Sequence, residues 1–314
     1  MPNRSRARMA VLFTAVLWSV AVVADESPFV EGQLSIRGGP AASPIAISVT
    51  ERLAGAIDSL RWNGKEFIDS YDHGRQLQSA CSFDAGASGP FWAERFNPTE
   101  AGSRRDGTGA TSSSKLLKIR ASSTELTTET QPAFWLAPGE ESSGRPALNT
   151  RVLSEHRIAK RVRIGFGELA NVVEYEATFT VPSGEGHRFA QFEAVTGYMP
   201  AEFEKFYKLD IATGTLSPLD DGPGEQSQPV VFSTADGAYA MGVYSPDQPA
   251  KGYEQAGYGR FRFEREKVTK WNCVFRVRND AGIPAESYRY RSFIAVGDLE
   301  TVRTSLQSLA AKLR

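Results

Sequence analysis

Between Asp72 and Gly102 the chain concentrates a histidine, an arginine, several amides, a tryptophan and a glutamate. They fall in Asp72-His73-Gly74-Arg75-Gln76-Leu77-Gln78, then Phe91-Trp92, then Asn97-Pro98-Thr99-Glu100. An imidazole passes protons near neutral pH, a guanidinium holds a carboxylate or a hydroxyl pair in fixed geometry, and an amide reads hydroxyls. His73 and Glu100 are therefore the candidate acid and base, with Arg75 to orient a polar substrate. Gln78, Trp92 and Asn97 are candidate binding residues, joined by Tyr258 from the later segment Lys251–Gly259. Each has a structural competitor: Asp72 can pair with His73, Asn97 and Thr99 can cap a turn, and a loop aromatic can serve as an anchor.

These groups need a rigid frame, and the frame reads as β structure. Ala56 to Trp62 alternates in polarity, Asn63-Gly64 supplies the residues that a tight two-residue hairpin requires at positive φ, and Lys65 to Ile68 returns as the partner strand. Asp236-Gly237 marks a second hairpin between Pro229–Ser233 and Ala238–Tyr244. Further strands are expected at Val162–Phe166, Val172–Val181, Arg188–Thr196, Gly259–Arg265, Lys270–Arg278 and Tyr288–Val296. Phe83 to Ser114 reads as a long functional loop held by Phe91, Trp92 and Phe96, and Pro138 to Pro146 as a plain surface excursion. One helix is expected at the C-terminus: Asp298 can cap it, and Leu299, Val302, Leu306, Leu309 and Leu313 form one apolar stripe. Many strands and one helix, with no fixed-period repeat, predict an all-β protein: a large two-sheet antiparallel β-sandwich with a C-terminal helix.

The N-terminus has the three parts of a secretory signal: Arg4, Arg6 and Arg8, an apolar run from Met9 to Val23, and small residues up to Ala24. Residues 1–24 are expected to be a signal peptide and 25–314 a single domain, periplasmic or secreted, with no membrane association after cleavage. Lys+Arg number 36 against Asp+Glu 37, so there is no basic footprint for nucleic acid. The two cysteines, Cys81 and Cys273, can bridge only if the fold brings them together, and Cys273 alternates with Trp271, Phe275 and Val277 as a buried-face residue would. With three histidines and no cysteine pair at ligand spacing, neither a metal nor another cofactor is expected.

The stretch Ala54-Gly55-Ala56-Ile57-Asp58-Ser59-Leu60-Arg61-Trp62-Asn63-Gly64-Lys65-Glu66-Phe67, followed by Gly74-Arg75, resembles the first hairpin and site loop of the galactose mutarotase-like superfamily. That resemblance implies a two-sheet supersandwich with a concave sugar-binding face, and a carbohydrate as the ligand. The chain departs from the working mutarotases at mid-chain: their Asn-x-Thr-x-His context is absent, His156 lying among Ser154, Glu155 and Arg157, and His187 following Ser183-Gly184-Glu185-Gly186. The expectation is a carbohydrate-active protein using metal-independent acid/base chemistry, an epimerase, lyase or glycosidase if an enzyme. The alternative is a glycan-binding protein of the cell envelope without turnover. Arg276, Arg278, Arg289 and Arg291 alternate outward on late strands and would either suit an acidic sugar or form a solvated face.

Overall fold

The computed structural model describes residues 33–247 and 253–313; the expected signal peptide lies outside them. Two large antiparallel sheets face one another. The first runs Gln33–Gly38, Ile45–Thr50, Ile57–Trp62, Leu77–Phe83, Phe189–Pro200, Val268–Arg278, Tyr253–Phe263, Gly224–Gln226, with three two-residue strands beside this path. The second runs Leu216–Pro218, Lys205–Leu209, Val230–Ser233, Ala240–Tyr244, Ser287–Gly297, Leu169–Thr180, Arg157–Phe166, Glu125–Gln131, Lys115–Ala121. Inward-facing residues of both, among them Ile47, Leu60, Cys81, Phe192 and Phe275 from the first and Val162, Tyr175, Phe232 and Ile294 from the second, form one continuous core. This is the expected β-sandwich.

Local chemistry explains the frame. The Asn63-Gly64 turn has φ of 50° and 77°, the conformation that glycine and asparagine tolerate best, and it joins Ile57–Trp62 to Lys65–Glu66. The Asp236-Gly237 hairpin pairs Val230 with Val243 through Ser233 with Ala240. The helix Leu299–Lys312 is capped by Asp298, whose Oδ1 accepts from the Thr301 N–H at 2.7 Å. Its stripe of Val302, Leu306 and Leu309 packs on Val231, Ala240 and Phe293, on the outer face of the second sheet. Each fully buried side chain of that kind contributes about 1.5–3 kcal/mol. No helix among the described residues is long and apolar enough to cross a membrane.

Two expectations are corrected. The 83–114 segment is not without secondary structure: it contains short turns at Ala93–Phe96 and Arg104–Asp106, and Pro98–Thr99 pairs with both Ala80 and Ala133–Phe134. The 138–146 excursion is a small hairpin that buttresses it, since Glu140 accepts from Arg104 (3.2 Å) and Arg105 (2.8 Å) and Arg145 sits 4.4 Å from the Trp92 ring centre. Cys81 and Cys273 are both buried and free, on the strands flanking Phe189–Pro200.

Asp58 is out of keeping with its surroundings. Burial and the nearby Glu66 carboxylate, opposed by its own backbone N–H and by Arg52, push its carboxyl up to about 6 from 3.8, and its Oδ1 has no hydrogen-bond partner. A raised folded pKa means that the folded state binds more protons than the unfolded one between those values, so stability falls as pH rises from about 4 to about 6. Because the group is partly exposed, the penalty at neutral pH is about 1–2 kcal/mol rather than the full value of the shift. Asp58→Asn is expected to raise stability by that amount at pH 7 and to leave it unchanged near pH 3.5, as read from urea denaturation at the two pH values. Equal effects at both would refute the assignment.

Candidate functional site

The residues singled out between 72 and 100 do not converge. His73 is fully buried, its Nδ1 2.8 Å from the Gly107 carbonyl oxygen and its Nε2 2.9 Å from that of Arg52. Arg52 in turn donates to the carbonyls of Ser70, Tyr71 and Gly109, so the imidazole and this guanidinium staple three backbone segments. Arg75 lies 3.3 Å from Asp72 and 3.9 Å from Asp69, over the Tyr71 ring, and donates from Nη1 to the Glu266 carbonyl at 3.3 Å. Glu100 is fully buried inside the sandwich: Oε1 receives the Lys160 ammonium and Oε2 accepts from the Ser79 N–H at 3.0 Å. Lys160 also donates to the Gly55 carbonyl at 2.8 Å, and Ser79 Oγ lies 2.9 Å from the Tyr175 hydroxyl and 2.7 Å from the Ala194 carbonyl. Burial pushes Lys160 below the usual lysine range, against the pull of Glu100, and pushes the Tyr175 phenol up. His73 and Glu100 thus have structural partners, because each sits where polar groups must be satisfied away from water.

What opens to solvent is a cavity of about 410 Å³ on the outer face of the first sheet. Strand parity builds its floor. Lys270, Asn272 and Arg276 share one face of Val268–Arg278, and Gln78 and Ala80 share one face of Leu77–Phe83. Along Phe189–Pro200 the sequence changes phase: Gln191 and Glu193 line the cavity, a bulge follows Glu193, and Thr196 and Tyr198 continue the same face while Ala194 and Val195 both turn to the core. The ordered loop supplies a wall of Trp92, Glu94 and Asn97, and Trp135, Phe261 and Glu225 complete the rim.

Of the expected binding residues, Gln78, Trp92 and Asn97 line this cavity. Gln78 Oε1 accepts from the Ala101 N–H at 2.9 Å, and Asn97 Nδ2 donates to the Cys81 carbonyl at 2.7 Å, so both amides are fixed rather than mobile. Tyr258 is not at the cavity. It occupies the opposite parity from Phe261 on the same strand, is 3% exposed within the core, and its hydroxyl accepts from the Ser245 N–H at 2.9 Å. Gly74 does contribute, through what it lacks: a Cβ there would lie 2.7 Å from Trp135 Cη2, so only glycine lets that indole reach its place on the wall.

The cavity's charges are mostly paired. Arg276 grips Glu225 through two bonds of 2.6 and 2.7 Å and donates from Nε to Gln191 at 3.1 Å. Lys270 lies 3.3 Å from Glu193 and over the Tyr198 and Phe261 rings at 5.2 and 5.3 Å. Burial disfavours the Lys270 charge, but Glu193 and Tyr198 outweigh it and raise the ammonium above its usual range. The Tyr198 phenol is itself raised, chiefly by burial and in smaller part by Glu193 and Glu94, and opposed by Lys270, so it stays a neutral hydroxyl at neutral pH. Glu94 has no hydrogen-bond or ion-pair partner among the described residues.

Glu94, Trp135, Glu193, Lys270 and Asn272 escaped the sequence reading, and Tyr198, which the sequence groups with Phe203, Phe206 and Tyr207 as packing aromatics, lines the cavity. The outward alternation of late-strand charges picked out Arg276 and pointed to the right strand, where Lys270 and Asn272 obey the same two-residue rule. Arg278 lines a smaller neighbouring cavity over Phe189, and Arg289 and Arg291 belong to the other sheet, where they meet Glu176 and Glu174.

No protein-family model matches the chain, and no curated protein matches it. Solved structures similar to it include the Slr1438 protein from Synechocystis sp. PCC 6803, at 9% identity over 90% of this chain and 100% of that one, with a TM-score of 0.44. A galactose mutarotase-like protein from Lactobacillus casei ATCC 334 matches at 10% identity over 84% of this chain and 100% of that one, TM-score 0.44. The GH36 alpha-galactosidase AgaB from Geobacillus stearothermophilus matches at 10% identity and TM-score 0.45; 85% of this chain aligns, over 40% of that one.

Proposed function

We propose that the protein holds a saccharide in the outer-face cavity and acts on it by acid/base chemistry, with Glu94 as the proton-accepting carboxylate and Tyr198 as the neutral hydroxyl donor. The observation that carries this reading is the composition of one 410 Å³ hollow: indole walls at Trp92 and Trp135 for a sugar's apolar face, and amides at Gln78, Asn97, Gln191 and Asn272 for its hydroxyls. Lys270 and Arg276 add donors suited to a uronic acid carboxylate, each already balanced by a carboxylate that such a ligand would displace or share. His73, Arg75 and Glu100 fix the loops that carry these groups instead of meeting the sugar. The leader-like N-terminus supports action outside the cytoplasm.

A glycan-binding protein without turnover is the second reading, favoured by one observation: Glu193 and Glu225 are both held in ion pairs, leaving few free groups for chemistry. Titration of neutral and uronic oligosaccharides, followed by NMR for binding and for anomeric or bond changes, separates the two. Binding of at least one class is expected, weakened about 2- to 13-fold by Trp135→Ala, the size of one aromatic contact of about 0.5–1.5 kcal/mol. Saccharide affinity unaffected by this change, or no saccharide binding at all, would remove the cavity from consideration.

A further inference from the structure

Away from that cavity, His156, Glu185 and His187 bring one ligand atom each to within 4.8 Å of one another. His156 precedes the Arg157–Phe166 strand, His187 precedes Phe189–Pro200, and Glu185 lies in the connection before it, so one end of each sheet and a loop meet there. Glu185 Oε2 is 3.4 Å from His156 Nε2 and 2.6 Å from His187 Nε2. His156 is 1% exposed, and neither of its ring nitrogens has a hydrogen-bond partner; the same holds for His187 Nδ1. Leaving a buried polar group unsatisfied costs about 1–3 kcal/mol, so two idle nitrogens on one buried ring call for an occupant.

We propose that His156, Glu185 and His187 form a binding site for a first-row divalent cation, of the zinc type, with three protein ligands and one open position. Two imidazoles and one carboxylate are a donor set that zinc accepts, and tetrahedral ligation at about 2.0–2.2 Å places donors roughly 3.3 Å apart, near the 3.4 Å between Glu185 and His156. A cation would draw Glu185 off its short contact with His187 and use the His156 lone pair that nothing else uses. Phe83 stacks against His187 at 4.5 Å and packs on His156 at 4.7 Å, which fixes both rings. Asp84 Oδ1, which accepts from the Arg188 and Phe189 N–H groups, lies 4.0 Å from His187 Nδ1, beyond hydrogen-bond reach. Glu185 and His187 also border a separate cavity of about 260 Å³, so the fourth position faces water or a small ligand. The expectation of no metal rested on linear spacing, and here the ligands are 29 and 2 positions apart in the chain.

The test is calorimetric titration of chelator-stripped full chain with zinc ion alone. One site per chain is expected, with zinc raising the thermal midpoint. Glu185→Gln and His187→Gln should each weaken binding by at least about 100-fold, the upper end of what loss of an outer-shell partner does, with unchanged circular dichroism. Absent stoichiometric binding, or variant affinities within three-fold of wild type, would overturn the site. Should the variants fold poorly, X-ray absorption of zinc-loaded wild type decides: two imidazoles support the site, and a spectrum without imidazole scattering overturns it. None of these outcomes depends on saccharide binding.

Discussion

Glu94→Gln is expected to lower turnover of a bound saccharide about 10²–10⁴-fold, the usual contribution of a positioned proton-transfer group, while leaving affinity within a few-fold. The substitution keeps the shape and removes the basic oxygen. Glu94 is the cavity carboxylate best placed for the role because the other two are engaged: Glu193 faces Lys270 at 3.3 Å, and Glu225 is gripped by Arg276 at 2.6 and 2.7 Å. An engaged carboxylate must break its pair before it can take a proton, which adds to the barrier. Single-turnover kinetics and binding titrations on the same variant read the two quantities separately. Equal losses in both would make Glu94 a ligand contact, and turnover unchanged from wild type would end its assignment as a base.

Lys160→Met is expected to destabilise the fold by about 3–5 kcal/mol, because it leaves the Glu100 carboxylate buried without its cation. Lys160 and Glu100 have no exposed side-chain surface and join the second sheet to the loop that carries Asn97. The Met side chain matches the lysine stem in volume, so little of the loss arises from packing. Adding Glu100→Gln should restore most of the stability, since an unpaired buried charge and not the missing bond dominates the cost. Urea denaturation midpoints at constant slope give both values. A single-variant loss below about 1 kcal/mol, or a double variant no better than the single, would show that water reaches Glu100 and that the pair is not isolated.

The pair also shows why part of the site was illegible. Ile158, Lys160, Val162 and Ile164 occupy one parity of their strand and all face the core, so a lysine in an apolar rhythm announces a buried partner without naming it. Glu100 lies 60 positions away and looks, in the chain, like a free acid beside a turn. His73 is similar: its neighbours in sequence suggest a proton relay, and its neighbours in space are two backbone carbonyls. Polar residues near a turn serve either a ligand or the backbone, and only burial separates the two uses.

Short-range physics settled much of this protein from its residues alone. Two-residue alternation, the Asn63-Gly64 and Asp236-Gly237 turns and the Asp298 cap depend on contacts a few positions apart, so both hairpins, the C-terminal helix and strands with clear alternation such as Val268–Arg278 and Ser287–Gly297 could be read directly, whereas Leu77–Phe83, Lys115–Ala121, Glu125–Gln131 and Lys205–Leu209 were not among the expected strands. Gln78, Trp92 and Asn97 were legible as binding residues from their side-chain types and their crowding in one stretch, although the strand Leu77–Phe83 that carries Gln78 was not expected. The tertiary structure decided which polar groups face water. It carried His73 and Glu100 inward, turned Tyr258 into the core, gathered Glu94, Tyr198 and Lys270 from a loop and two strands, and set His156 beside Glu185 and His187. Those meetings depend on sheet order, on the bulge after Glu193 and on burial, and such long-range terms leave no periodic trace in the chain.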